Sequence, residues 1–331
     1  MLHFLTPPVR TVVVGTGYAA RQRATALAAD PRVKITGCIG HQPESAHRFA
    51  AEFGLVSGGE ELLAGADLVF VATANRDHAL WVRRALLGGA HVVVEYPLAL
   101  DLTEAIALAA LARAHHRLLH VEHIELISGI HQALVAQLER VGPINLVRYS
   151  NLNARLPEPG RWTFSTALFG FPLVGAVSRL GRLVDLVGPI RSVFCQNRYF
   201  DLSGDNYRGC LCAAQLAFES GATGQIVYAK GSACARSETQ LELTGSQGGL
   251  LHDGRQLLVF EGERTRSLEP GERRGLFARD TAIVLDYLEG RGELYVTLER
   301  SLHALAVASA CEQSAVGGAR VSVETFTLAP A

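Results

Sequence analysis

Over its first 120 residues the chain alternates short apolar runs with stretches whose apolar positions recur every three to four residues. The run Val9–Val14 predicts a strand and Ala19–Ala29 a helix, and Val33–Gly40 with Glu44–Phe53 repeats the pair. Leu68–Ala72 with a helix near His78–Leu87, then His91–Glu95 with Leu102–His115, repeat it twice more before an extended Arg117–Glu122. Near-continuous β-branched runs suit strands covered on both faces, and strand–helix alternation of this kind builds a parallel sheet.

The pattern changes after a helix expected at about Glu125–Arg140. Period-two segments follow at Ile144–Asn151, Ser192–Phe200, Cys210–Phe218, Gly224–Tyr228, Thr239–Thr244 and Leu257–Phe260. Glu219-Ser-Gly-Ala222 and Gly245-Ser-Gln-Gly-Gly249 carry the small, turn-forming residues of hairpin loops. Helices are expected at about Pro172–Val187, Leu276–Leu288 and Glu299–Ala315. The prediction is an α/β domain over residues 1–123, then an α+β domain over 124–331. The second would hold a large, mainly antiparallel sheet with helices on one face.

A chain of 331 residues with 48% hydrophobic and 19% charged residues can bury two ordinary cores, which excludes a disordered chain. Its 31 basic and 32 acidic residues leave a net charge of −1, so no broad positive field exists to hold nucleic acid or an anionic membrane. Met1–Thr11 lacks the pattern of a leader, and no apolar run reaches the length of a bilayer span, so a soluble, cytoplasmic protein is expected. Six cysteines form no C-x-x-C pair and read as free thiols of a reducing compartment. Five histidines fall between His115 and His131 without any zinc-type spacing, so no metal is expected. Monomer and homo-oligomer stay equally open.

Chemistry enters at Val12-Val-Val-Gly-Thr-Gly-Tyr-Ala-Ala20, a G-x-G-x-x-A loop between the first strand and first helix. This is the dinucleotide fingerprint of a Rossmann domain. Gly15 makes the turn and Gly17 admits a pyrophosphate. Ala20 packs helix on strand, and the N–H groups at Tyr18, Ala19 and Ala20 face the phosphates. The second strand ends Gly37-Cys-Ile-Gly-His41, without the carboxylate that an NAD site offers the ribose 2′-hydroxyl. His41 and Arg48 are free to pair with a 2′-phosphate instead. The expected cofactor is therefore NADPH, with NADH a weaker substitute. Ligands bind at the carboxyl ends of parallel strands, which selects Thr73, Asn75, His78 and Glu95 as further cofactor contacts.

The strand ends Val71-Ala-Thr-Ala-Asn75 and Val94-Glu-Tyr-Pro-Leu98 resemble the glucose–fructose oxidoreductase and inositol dehydrogenase family across the whole chain. Sugar-oxidising members carry Glu-Lys-Pro where Glu95-Tyr96-Pro97 stands here. They also carry an Asp and a His four residues apart where this chain has Leu173-Val-Gly-Ala-Val-Ser-Arg-Leu180. Oxidation of an alcohol needs a base, and those positions supply none. Glu-Tyr-Pro and Leu118-Leu-His-Val-Glu-His-Ile-Glu-Leu126 instead resemble the biliverdin reductases, the cyanobacterial members most closely. That likeness extends through Gln132, Arg161-Trp-Thr163, Phe169-Gly-Phe-Pro172, Ser178-Arg179, Asp185-Leu186, Arg273-Arg-Gly-Leu-Phe277 and Leu285-Asp-Tyr-Leu288.

The resemblance implies reduction of biliverdin IXα at its central methine bridge to bilirubin. Tyr96 would stack on the tetrapyrrole at the nicotinamide, and Arg179 would act on the pyrrole edge. Glu122 and Glu125 would lie near the bilin. A flat diacid calls for aromatics paired with cations, which selects Arg198, Phe200, Tyr228 and Lys230 as substrate contacts. Trp162, on a loop beside Arg161, is selected as a cofactor contact. Two rivals share the fold: an NADP-dependent sugar or dihydrodiol oxidoreductase, and a non-catalytic NADP-binding regulator.

Overall fold

The computed structural model describes residues 4–158, 160–272 and 274–324. Arg273 of the segment quoted above, and Met1–His3 of the segment read for a leader, lie outside the described residues. The chain divides into two compact units. The first holds the described residues up to Ile124 together with Gly275–Leu302, and the second holds Glu125–Arg274 and the described residues from His303 on.

In the first unit, β1 (Val9–Val14), β2 (Val33–Ile39), β3 (Ser57–Gly58), β4 (Leu68–Val71), β5 (His91–Val94) and β6 (Leu119–Val121) form one sheet. Its order is β3-β2-β1-β4-β5-β6, and every pairing is parallel. Stepping outward on both sides of β1 is the doubly wound arrangement, which leaves its crevice at the carboxyl end of β1. Val12, Val13 and Val14 are buried because helices cover both faces. Ala20, Ala24 and Leu27 repeat at helical spacing and turn the Tyr18–Ala28 helix inward.

That core takes in Val284, Leu285 and Leu288 of the Leu276–Leu288 helix. This helix, expected in the 124–331 domain, belongs to the first unit. Its amphipathic pattern shows which face is apolar, but a pattern names no partner. Each buried apolar side chain contributes about 1.5–3 kcal/mol, wherever along the chain it comes from.

The second unit carries β7 (Ile144–Asn153), β8 (Ile190–Phe200), β9 (Gly209–Phe218), β10 (Thr223–Gly231), β11 (Glu238–Gly245), β12 (Gly249–His252), β13 (Leu257–Glu261), β14 (Arg264–Leu268) and β15 (Val321–Ser322). Their order is β14-β13-β12-β11-β7-β10-β9-β8-β15. All pairings are antiparallel except β10 with β7. Both expected hairpins form: the Phe218 N–H donates to Ala222 O at 3.0 Å, and the Gly245 N–H to Gly248 O at 2.8 Å. The expected 125–140 helix is broken. Ser128 Oγ accepts from the His131 N–H at 3.3 Å and caps a separate Gly129–Val135 helix. The expected 172–187 helix is also interrupted, and Ser178–Val187 forms its second part. No helix among the described residues is long and apolar enough to cross a membrane.

Candidate functional site

The glycine loop has the shape that a pyrophosphate requires. Gly15 adopts φ +120°, and a Cβ there would sit 2.2 Å from Ala72 O, so only glycine lets β1 turn so close to β4. A Cβ on Gly17 would meet nothing within 4 Å. Gly17 N-caps the Tyr18–Ala28 helix without a side-chain cap, so the first N–H groups of that helix stay available to an anion over an open cradle. These residues fit a dinucleotide. At the end of β2, His41 and Arg48 are both exposed, and Ser45 bonds Thr16 across the same corner at 3.3 Å.

The next strand ends are held from inside the unit. His78 is buried, with Nδ1 2.7 Å from Pro97 O and Nε2 3.2 Å from Thr73 O. Burial lowers its pKa, so the ring is neutral and its single N–H serves the shorter contact to Pro97. It thereby fastens the Pro97 turn to the Asn75–Leu87 helix. Asn75 is buried at the start of that helix. Tyr96 is half-buried, its ring nearly parallel to that of His123 (18°, centroids 6.1 Å apart).

Glu95 accepts from Arg23 Nε at 2.9 Å. Arg23 is fully buried and also pairs with Asp280, which accepts from Tyr295 Oη at 2.7 Å and lies 3.1 Å from His120 Nε2. Desolvation opposes the charge on Asp280, but Arg23, His120 and Tyr295 together hold its carboxyl well below the usual range. Glu122, expected at the substrate, instead lies 1% exposed beside this network, its Oε1 accepting from the Ile124 N–H. Burial and the nearby Glu95 carboxylate raise its pKa well above the ordinary value. Strand alternation places His120 and Glu122 on one face of β6, and that face meets Arg23 rather than solvent.

In the second unit Arg179 and Glu125 come together at 3.4 Å. Arg179 also donates to Ser178 Oγ at 2.7 Å and to Asn151 Oδ1 of β7 at 3.3 Å. One turn on, Arg182 Nε donates to His131 Nδ1 at 3.3 Å while His131 Nε2 faces Asp185 at 2.7 Å. That arrangement sets the histidine tautomer and pins the Ser178–Val187 helix to the Gly129–Val135 helix. Arg179 thus projects from a braced element.

Tyr228 and Lys230 share a face of β10. Asn151, the partner of Arg179, is the register neighbour of Tyr228 on β7. Lys230 is buried in a box of four rings, its Nζ 3.4 Å from the Phe169 centroid, 4.9 Å from Phe164, 5.4 Å from Tyr207 and 5.8 Å from Tyr228, and it donates to Thr163 O. Trp162 stands exposed at the edge of the box, 6.1 Å from Phe169. Arg198 and Phe200 do not join this group. They stack on each other at 4.8 Å on the other face of the sheet, because Tyr199, which packs against Tyr207 at 4.9 Å, takes the inward alternation.

Sequence reasoning missed Arg23, Asp280, His120 and Tyr295. A signal existed for Arg23: it occupies the same phase as Ala20, Ala24 and Leu27, where a charge needs a buried partner. The partner itself, 257 positions away, was not readable. No group of three or more His, Cys, Asp or Glu among the described residues could hold a metal ion.

The comparisons agree with this layout. A model of an oxidoreductase family with an NAD-binding Rossmann fold matches residues 9–123, and one of the same family's C-terminal alpha/beta domain matches 136–323. Biliverdin reductase A of Mus musculus is 34% identical over 137 residues, 41% of this chain and 43% of that protein, so the match spans less than half of the relative. The dTDP-3,4-didehydro-2,6-dideoxy-alpha-D-glucose 3-reductase of Saccharopolyspora spinosa is 32% identical over 255 residues, 74% of this chain and 75% of that one. The structure of biliverdin reductase from Synechocystis sp. PCC 6803, in complex with biliverdin and NADP+, superposes with a TM-score of 0.90 at 40% identity, covering 93% of this chain and 99% of that chain.

Proposed function

This chain belongs to the oxidoreductase family that pairs an NAD-binding Rossmann domain with a C-terminal alpha/beta domain, and on that premise we propose that it reduces biliverdin IXα to bilirubin with NADPH. The observation that carries the reading is the 40% identity to the biliverdin complex over nearly the full length of both chains.

Bound NADPH would supply hydride to the central methine carbon of the bilin. The protein's part is to hold, orient and compensate charge. Gly15, Gly17 and the N–H groups at Tyr18, Ala19 and Ala20 would hold the pyrophosphate, with His41 and Arg48 on the 2′-phosphate. Thr73, Asn75 and Glu95 would line the nicotinamide, and His78 would keep that edge in place. The Tyr96 phenol offers a flat surface and a hydrogen-bonding tip to the tetrapyrrole.

Arg179 suits the pyrrole edge. A guanidinium keeps its proton throughout the neutral and mildly alkaline range, so its role is to stabilise the electron-rich pyrrole while water delivers the proton. Its bonds to Glu125, Ser178 and Asn151 orient it before substrate arrives, which is the condition for electrostatic assistance without reorganisation. Six unbridged thiols agree with a reducing cytoplasm.

A second reading, a keto-sugar reductase, draws on the 75% coverage of the Saccharopolyspora spinosa enzyme. Mixing the protein with biliverdin IXα and NADPH separates the two. A green-to-yellow conversion, slower with NADH, is expected. A folded, NADPH-binding protein that leaves biliverdin green would end the proposal in favour of the sugar reading.

A further inference from the structure

Among the described residues no carboxylate pairs with the buried Lys230 amine. It is 5% exposed, and its recorded hydrogen bond goes to a neutral carbonyl, Thr163 O. Around it, β10 contributes the Tyr228 ring, β9 the Cys210 thiol, the 161–169 segment Arg161 with the rings of Phe164 and Phe169, and the segment before β9 Tyr207. Arg161 and Arg179 lie close enough for their positive charge to oppose that of Lys230. Among the described residues, the carboxylate paired in this group is Glu125, on Arg179. Two guanidinium groups and the Lys230 amine thus meet one carboxylate beside a desolvated aromatic box. Four ring faces offset part of the cost of a buried ammonium, but an uncompensated buried charge remains unfavourable. Desolvation and the two guanidinium groups accordingly push the Lys230 pKa down to about 7.

An arrangement of this kind is complementary to an incoming anion. We propose that Lys230 and Arg161, beside Arg179 at the pyrrole edge, form a subsite for one carboxylate of the substrate, and that Lys230 takes up a proton as that carboxylate arrives. The inference rests on the biliverdin reading, which supplies a flat apolar body bearing two propionates. Trp162, Phe169 and Tyr228 border the subsite and suit such a body. Physically, the carboxylate replaces the missing counter-ion. The ammonium form of Lys230 then becomes favourable in the same box that disfavoured it before. Binding and protonation are linked, so each strengthens the other. No bond to carbon changes in this step: a proton moves from solvent to the Lys230 amine and a carboxylate leaves water for the subsite.

Calorimetry of biliverdin binding to the protein–NADP+ complex at pH 8, in two buffers of different ionisation enthalpy, tests this. The wild type should take up about one proton per bilin, and the dimethyl ester of biliverdin should bind without uptake. Lys230→Met should abolish the uptake and weaken the diacid about tenfold, leaving the ester unchanged. Lys230→Arg, permanently charged, should bind the diacid without uptake, which also guards against misfolding of the Met variant. A diacid bound and reduced with no proton uptake, or uptake persisting in Lys230→Met, overturns the subsite while the reductase reading stands. A protein that binds neither bilin overturns both.

Discussion

Gly15 and Gly17 occupy one motif but answer to different demands. At Gly15 a side chain collides with Ala72 O and the backbone is left-handed, so Gly15→Ala should unfold at lower temperature and lose NADPH binding together. At Gly17 the space is empty until a phosphate occupies it. Gly17→Ala should therefore keep the wild-type melting temperature and lose affinity for NADPH, read by fluorescence titration against a thermal melt. Glu122 makes a second residue-scale prediction. Its folded pKa is raised, so its contribution is complete below the ordinary carboxylate pKa of about 4.3 and is lost as pH rises through the raised value. Glu122→Gln mimics the protonated form. It should match the wild type at pH 4 and melt higher than it at pH 9, and parallel melting curves at both pH values would contradict a raised Glu122 pKa. Neither the empty cradle nor the buried carboxyl is visible in a motif, because both depend on what surrounds the residue.

Among elements, the Leu276–Leu288 helix shows how far local pattern reaches. Its apolar stripe was legible from Val284, Leu285 and Leu288, and so was its length. Its destination was set by Asp280 meeting Arg23 inside the first unit. Breaking a buried ion pair by removing one partner typically costs about 3–5 kcal/mol. Arg23→Met should lower the unfolding free energy read from urea titration by that order, and Arg23→Met with Asp280→Asn should recover part of it. A double variant as weak as the sum of the singles would show that the two side chains do not act together. The Arg264–Leu268 strand was missed for the opposite reason: nearly every residue in it is exposed, as suits an edge strand that carries charge instead of an apolar alternation. Arg198 and Phe200 were grouped with Tyr228 and Lys230 because all look alike in sequence, yet a period of two sends the pairs to opposite faces.

At the scale of the molecule, the near-zero net charge means that anion recognition must come from local clusters rather than a global field. His41 after β2 and Arg48 on the Pro43–Phe53 helix are proposed as one such cluster. Arg48→Ala should raise the KM for NADPH about tenfold, the size of one exposed guanidinium–phosphate contact, and leave that for NADH within twofold. Equal effects on both would remove Arg48 from the 2′-phosphate. The sequence by itself determined the parallel sheet of the first unit, the glycine loop and the absence of a ribose carboxylate. It also determined most strands of the second unit. All of these follow from residues close together in the chain, through periodicity, turn chemistry and helix-end geometry. Only the tertiary structure decided that the Leu276–Leu288 helix completes the first core, that Glu122 is buried beside Glu95, and that Lys230 is boxed by rings with, among the described residues, no paired carboxylate. Those outcomes depend on desolvation and on partners far apart in sequence, which no local pattern encodes.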